Sequence, residues 1–475
     1  MPNSRSEIQP DSAVISAILE KARRGELPSS HDAATLADFE DTHALAETAA
    51  VLRDQGFGNT VTYSRKAFVP LTHLCRDVCH YCTFAQVPRK VKAPYLTLDE
   101  VLATAREGAA LGCKELLFTL GEKPELRYKA ARDALAEMGF ESTLHYLKAA
   151  AELVFKETGM LPHLNPGTMT PEEIEWLREV SPSMGIMIES TSDRLTEKGQ
   201  PHYGSPDKIP AVRLQTLDDA GAAKVPFTTG ILIGIGETRL ERIESLLAIR
   251  EIHERHSHVQ EIIVQNFRAK PETLMAGAPE PDLNDLLWTI AVARIIFGSE
   301  MSIQAPPNLS PGVLPQLVNA GINDWGGVSP ITPDFVNPEA PWPHLEDLRR
   351  ETGVAGKALH ERLTIYPKYA SDLDTWVAPE MHERMLEVID ASGWPRLDDW
   401  CPGDQIDPPE QDLALINKQP RFVSKAVAAV LEKSDRGEAF TESDLVTLFN
   451  ARVDDFSAVV QKANALRQTL SLIHI

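Results

Sequence analysis

Cysteine is scarce in this chain, five in 475 residues, and three of the five fall between Cys75 and Cys82. Dispersed, paired cysteines of the kind an oxidising compartment favours are missing, so the clustering favours a metal site in a reducing cytoplasm. Basic residues are also short. Lys and Arg number 47 against 69 Asp and Glu, a net charge of −22. That balance argues against a nucleic-acid or anionic-membrane surface, since both need clustered Lys and Arg. Long apolar runs are absent too: the longest stretch, around Phe227 to Ile235, cannot span a bilayer. Met1 to Glu20 mixes acidic, basic and Ser residues with short apolar runs, and does not read as a signal peptide.

What is present is an alternation. Polar helices fill the first sixty residues, over Ser12 to Arg24, His31 to Phe39 and His43 to Arg53. Short apolar runs then read as strands: Ala67 to Leu71, Glu115 to Leu120, one near His163, Met184 to Glu189, Pro226 to Ile233, Glu261 to Gln265, Met301 to Gln304 and Asn323 to Trp325. Amphipathic stretches separate them, among them Leu98 to Leu111, Lys208 to Ala220, Leu240 to His253 and Leu283 to Phe297. Strand–helix alternation predicts right-handed βαβ units and an α/β fold, a full or partial (β/α)₈ barrel. Functional residues should then gather just after the strands.

The expected organisation is a helical leader over 1–60, a barrel over 61–370 and a helical completion over 371–400. A Pro-rich linker follows over 401–420, then more helices over 421–469. Leu19 to Glu26 reads LEKARRGE and Leu431 to Glu438 reads LEKSDRGE, an offset of 431 − 19 = 412 that also pairs Asp32 with Asp444 and Leu36 with Leu448. Chance similarity between charged helices is the plain alternative. The shared offset favours duplication, so 421–469 reads as the truncated leader of a second such domain. Residues 470–475 resemble a translated adapter sequence and read as non-native.

HLCRDVCHYCTFAQ, His73 to Gln86, sets Cys75, Cys79 and Cys82 in a Cys-x₃-Cys-x₂-Cys pattern after the first expected strand. Three thiolates can hold only three irons of a [4Fe–4S] cluster and leave one open, which is an arrangement for chemistry. A zinc site would need a fourth ligand, and only the interleaved His73 or His80 could supply it. Cys113 and Cys401 stand alone and read as small buried hydrophobes.

The motif resembles that of radical S-adenosylmethionine (SAM) enzymes, in which SAM chelates the open iron and is cleaved to a 5′-deoxyadenosyl radical. The resemblance implies further SAM positions. Gly121 and Glu122 in FTLGEKPE suit the SAM amino group, although Leu120 replaces one of the family's usual glycines. Glu189 and Ser190 in IMIESTSDRL suit the ribose hydroxyls. Ile235 in GILIGIGE, and Tyr81 beside the last Cys, would lie against adenine. Each has a bland reading as a strand exit or a buried strand; only their shared order favours the site.

YSRKAFVPLTHLCRDVCHYCTF, LPHLNPGTM, HYGSPDK, FTTGILIGIGET, VQNFRAKP, QAPPNLSPG and DWGGVSPITPDFVNPE resemble one family in particular, 7,8-didemethyl-8-hydroxy-5-deazariboflavin (FO) synthase. The likeness runs from about Val61 to Tyr369, on the half that closes the deazaflavin ring for coenzyme F-420 biosynthesis. It implies ring closure of a hydroxybenzyl–ribitylaminouracil adduct with loss of ammonia. It also implies an external electron donor and a partner half that couples tyrosine, in trans or fused. His163, Asn165, Gln265, Asn266, Gln304, Asn308, Asn323 and Asp324 are candidates for the uracil face and ribityl chain, which mostly neutral amides match in donors and acceptors. Asn and Gln beside Pro and Gly are equally turn residues. Competing functions are the tyrosine-coupling half, a menaquinone-pathway radical SAM enzyme, or a metal-binding module without catalysis.

Overall fold

A computed structural model describes residues 12–396 and 410–471. The chain divides into two compact units, Met1–Arg396 and Leu397–Ile475. Among its described residues the first holds nine strands: β1 Thr60–Thr72, β2 Glu115–Leu120, β3 Leu161–Asn165, β4 Ser183–Gly185, β5 Phe227–Ile233, β6 Val259–Asn266, β7 Ser302–Gln304, β8 Asp324–Val328 and β9 Ala358–Arg362. Each of β1 to β8 pairs in parallel with the next, and β1 pairs with both β2 and β8, so the eight strands close into a barrel. The barrel is full, not partial.

Local chemistry sets the boundaries. β5 (FTTGILI) is buried at every position, the apolar run expected of a parallel strand covered on both sides. Helices Leu98–Ala110, Pro171–Arg178 and Arg239–His256 each begin with a capping box, at Thr97–Glu100, Thr170–Glu173 and Thr238–Glu241. Helix Leu283–Phe297 matches its expected span and is buried from Leu286 almost throughout.

Three expectations change. The fourth strand, expected over Met184 to Glu189, is only Ser183–Gly185. The chain then leaves the ladder and returns for a single bridge between Glu189 and Ile231. β1 is longer than expected because it serves three partners: Lys66–Thr72 runs along β2, Thr62–Arg65 along β8 and Thr60–Ser64 along β9. β9 (ALHER) gave no signal in the sequence, since it is short, polar and half-exposed. Its Arg362 is nevertheless buried at the barrel floor, where Nε and Nη2 donate to the Asp324 carboxylate at 2.6 and 2.7 Å and Nη2 also reaches Glu261 at 3.2 Å.

The leader of the first unit comprises helices Ser12–Arg23, Ser30–Thr35 and Thr42–Phe57. The second unit contains Glu410–Asn417, Lys425–Asp435, Glu442–Phe449 and Asp454–Ser471. The 412-residue offset carries helix starts onto helix starts, since 30 + 412 = 442 and 42 + 412 = 454. It also carries the Ser29–Asp32 capping box onto Thr441–Asp444. The expected linker is helical from Glu410, where EQDLALIN has apolar residues at helical spacing. Its earlier part, with Cys401, lies outside the described residues, as do positions 472–475 of the expected tail.

Candidate active site

The cysteine loop leaves the C-terminal end of β1, the end at which barrels build their sites. Gly121, directly after β2, lets the loop approach: a Cβ there would overlap the Leu74 carbonyl oxygen and stand 2.8 Å from Cys75 Cβ. The next backbone N–H, of Glu122, donates to Cys75 Sγ at 3.2 Å. Ser205 Oγ lies 3.6 Å from Cys79 Sγ. The Cys82 N–H donates to the Cys79 carbonyl at 3.2 Å and fixes the turn between them.

All three cysteines line one cavity of about 270 Å³. Burial, with Asp77 nearby, pushes the Cys75 thiol up to about 12, and burial pushes Cys79 up as well. Thiols held this way ionise against a cation. Three thiols on one cavity, with an N–H at Cys75 and a hydroxyl at Cys79, fit a [4Fe–4S] cluster with one iron left open. Cys113 is buried in the main core, away from the cavity.

Glu189 is a charged hub in the wall of the same cavity. Tyr81 Oη donates to its Oε2, His202 Nε2 lies 3.2 Å from the same oxygen, and Lys208 Nζ donates to Oε1 at 2.6 Å. Burial works against its charge, but Lys208 and then His202 outweigh burial and hold the carboxyl well below its usual range. Glu122 accepts from Thr168 N–H at 2.5 Å and from Arg213 Nη1 at 3.4 Å. It lies in a buried acidic group with Asp77 and Asp207, which Arg76 and Arg213 balance.

Of the SAM positions inferred from sequence, Tyr81, Gly121, Glu122 and Glu189 line this cavity. Ser190 and Ile235 do not. Ser190 Oγ turns back to accept from Ser192 N–H at 3.1 Å, and Ile235 is buried among Leu195, Leu232 and Phe267. The sequence reading missed Lys208, Arg213 and His202. His202 and Lys208 stood within HYGSPDK, but nothing local marks them, because their shared partner Glu189 comes from the segment after β4.

Below the first cavity, inside the barrel, is a second of about 230 Å³. The two share Thr119, Asn165, Thr228 and Gln265 as wall residues. His163 and Gln304 line the inner cavity, and Asn266 the outer one. The Asn165 Oδ1 is buried without a hydrogen-bond partner. Phe68 and Trp342 stack over the inner cavity at 5.3 Å.

The remaining candidates lie elsewhere. Asn308 ties down the segment after β8, donating to Asp334 at 2.9 Å and to the Ala340 carbonyl at 3.0 Å. Asn323 and Asp324 were expected at the end of a short strand near Asn323 to Trp325, but β8 runs Asp324–Val328, so both sit at its start, the opposite end of the barrel. Asn323 accepts from Arg294 Nη2 at 2.6 Å, and Asp324 pairs with Arg362. The expected strand stopped three residues before the end of β8, which put these two side chains at the wrong end.

The Radical SAM superfamily model matches residues 69–249. The FO synthase of Nocardia farcinica is 50% identical over 394 residues, covering 80% of this chain and 46% of that protein. The 7,8-didemethyl-8-hydroxy-5-deazariboflavin synthase of Methanopyrus kandleri is 49% identical over 336 residues, covering 71% of this chain and 100% of that protein. The chain belongs to the deazariboflavin synthase family. That family carries the radical SAM domain and uses a [4Fe–4S] cluster with SAM. The FO synthase of Mycobacterium tuberculosis H37Rv aligns at 42% over 518 residues, 97% of this chain and 60% of that protein. The chain thus spans about half the length of the FO synthases it matches. Among solved structures, the FeFe-hydrogenase maturase HydG from Carboxydothermus hydrogenoformans superposes with a TM-score of 0.59 at 17% identity, over 78% of this chain and 87% of that one. Methylornithine synthase gives 0.56 at 20%, over 72% and 97%. At such identities these two show the shared barrel fold alone.

Proposed function

We propose that this chain closes the deazaflavin ring, converting a hydroxybenzyl–ribitylaminouracil adduct into FO with loss of ammonia in coenzyme F-420 biosynthesis. The observation that carries this reading is the match along the full length of the Methanopyrus kandleri synthase, at 49% identity. The two joined cavities support it, one walled by three cysteines and the other by amides.

When bound here, a cluster and SAM would supply the adenosyl-radical chemistry. The residues divide the remaining work. Cys75, Cys79 and Cys82 hold three irons. Glu189, kept ionised by Lys208 and His202, accepts from the SAM ribose hydroxyls, and Tyr81 closes that wall. Gly121 admits SAM close to the backbone, with Glu122 beside its amino group. Asn165, Gln265 and Gln304 orient the uracil and ribityl groups, each hydrogen bond worth roughly 0.5–1.5 kcal/mol. Asn165 Oδ1, lacking a partner, is an acceptor waiting for a substrate N–H or O–H.

In the same reading, the second unit is the leader of a tyrosine-coupling half, on the strength of the 412-residue offset in helices and caps. An external reductant supplies electrons, and the clustered thiols suit the cytoplasm. Among the described residues, no helix is long and apolar enough to cross a membrane. Anaerobic reconstitution tests the site: the protein should bind three to four irons, estimated from a three-Cys cluster, and dithionite with SAM should yield 5′-deoxyadenosine. Reconstituted protein that holds iron but leaves SAM intact contradicts the reading.

A further inference from the structure

The floor of the inner cavity carries charge that the site as described does not use. Glu115, Glu261 and Asp324 face Arg362 and Lys66 there, all buried. Most of these groups are fully engaged. Arg362 donates to Asp324, to Glu261 and to the Leu363 carbonyl. Glu261 also accepts from Tyr366 Oη at 2.7 Å and from Thr228 Oγ1 at 2.8 Å. Ser64 Oγ donates to Glu115 at 2.8 Å.

Lys66 differs. It is 5% exposed and lines the inner cavity two residues below Phe68 on β1. Its ammonium has three protons to donate. Among the described residues it makes one long hydrogen bond, 3.4 Å to Thr364 Oγ1, and one loose ion pair, 3.6 Å to Glu115 Oε2. A buried ammonium is costly unless its donors are satisfied, and Lys66 lines the cavity in which the adduct is proposed to bind. Burial, opposed by Glu115 and reinforced by Arg362, holds its pKa below the ordinary lysine value. A lysine tuned downward exchanges protons more readily near neutrality.

We propose that Lys66 is a catalytic residue that carries the proton for ammonia release; this inference rests on the ring-closing reading above. In the closed-shell elimination that follows ring closure, the Lys66 ammonium gives a proton to the substrate's amino nitrogen. The carbon–nitrogen bond then breaks with its electron pair on nitrogen, which leaves as neutral ammonia. The pair of the neighbouring carbon–hydrogen bond becomes the new ring double bond, and the proton set free returns to the neutral Lys66 amine. Lys66 ends as it began, and the step consumes no oxidant or reductant. Arg362, fully paired and with a far higher pKa, cannot exchange protons in this way.

The test uses the reconstituted full chain with SAM, reductant and the adduct, measuring deazaflavin formed per 5′-deoxyadenosine. Lys66→Met should keep its iron and still release 5′-deoxyadenosine, while deazaflavin per 5′-deoxyadenosine falls about 100-fold or more, the scale of general acid–base catalysis. In Lys66→Ala, added methylamine should restore deazaflavin in proportion to its concentration, a response that a purely structural lysine would not give. A Lys66→Met protein within about threefold of the wild-type ratio, a small fraction of that general-acid effect, overturns the proposal. So does an Ala variant that holds iron but ignores methylamine. The wild-type chain runs alongside. If it makes no deazaflavin from the adduct, the ring-closing reading falls and takes this inference with it; a failure confined to the variants removes the role of Lys66 alone.

Discussion

Glu189 holds a left-handed backbone angle, φ 64°, which a side-chain-bearing residue rarely adopts. Such a conformation costs on the order of 1–3 kcal/mol and persists where the surroundings over-determine it. Here the bridge to Ile231 fixes the backbone, while Tyr81, His202 and Lys208 fix the carboxylate. Glu189→Gln keeps the shape and loses the charge. Titration calorimetry should then show SAM bound more weakly, by roughly 0.5–1.5 kcal/mol per lost hydrogen bond, with iron content unchanged; unaltered SAM affinity would place the ribose elsewhere. The cysteines give a sharper contrast. Cys79→Ala should abolish 5′-deoxyadenosine formation, and Cys113→Ala, altering a residue in the core, should not. The three thiols were legible because their ligand spacing lies within one loop. Lys208 and Arg213 were not, because what marks them is an ion pair to a residue that follows another strand, Glu189 after β4 for the one and Glu122 after β2 for the other.

At the scale of elements, strands were legible where both faces are buried in a mostly apolar run, as in β2 and β5, and illegible where pairing overrides pattern, as in β9. The junction of helix Arg239–His256 with β6 has its own signature. Burial, then the neighbouring His253 and His256, pushes His258 from 6.5 down to about 3, and its Nε2 lies 2.9 Å from the Leu217 carbonyl. Burial and Lys368 push His253 down to about 4. Both are lowered in the folded state, so between these values and 6.5 the unfolded chain binds more protons. The stability they contribute is therefore whole above 6.5 and is lost as pH falls toward 4 and below, with a slope of up to about 1.4 kcal/mol per pH unit for each group. Urea unfolding midpoints should drop from pH 7 to pH 5, and His258→Gln should flatten that drop. An unchanged slope would remove His258 from the account.

For the whole molecule, the barrel class followed from strand–helix alternation, whereas its closure did not, because closure depends on the pairing of β1 with both β2 and β8. The organisation of the units makes its own prediction. The three cysteines, both cavities and the strands described above all belong to Met1–Arg396. A chain ending after Arg396 should keep its iron and its SAM cleavage, and loss of either would assign part of the site to the helices beyond. The most direct measurement supplies the full reconstituted chain with SAM and reductant under two conditions, the hydroxybenzyl–ribitylaminouracil adduct alone, or tyrosine with the ribityl-diaminouracil. Deazaflavin fluorescence should rise with the adduct and stay at background with the uncoupled pair. SAM cleavage without fluorescence from the adduct, or coupling of tyrosine in the second mixture, would contradict the ring-closing assignment.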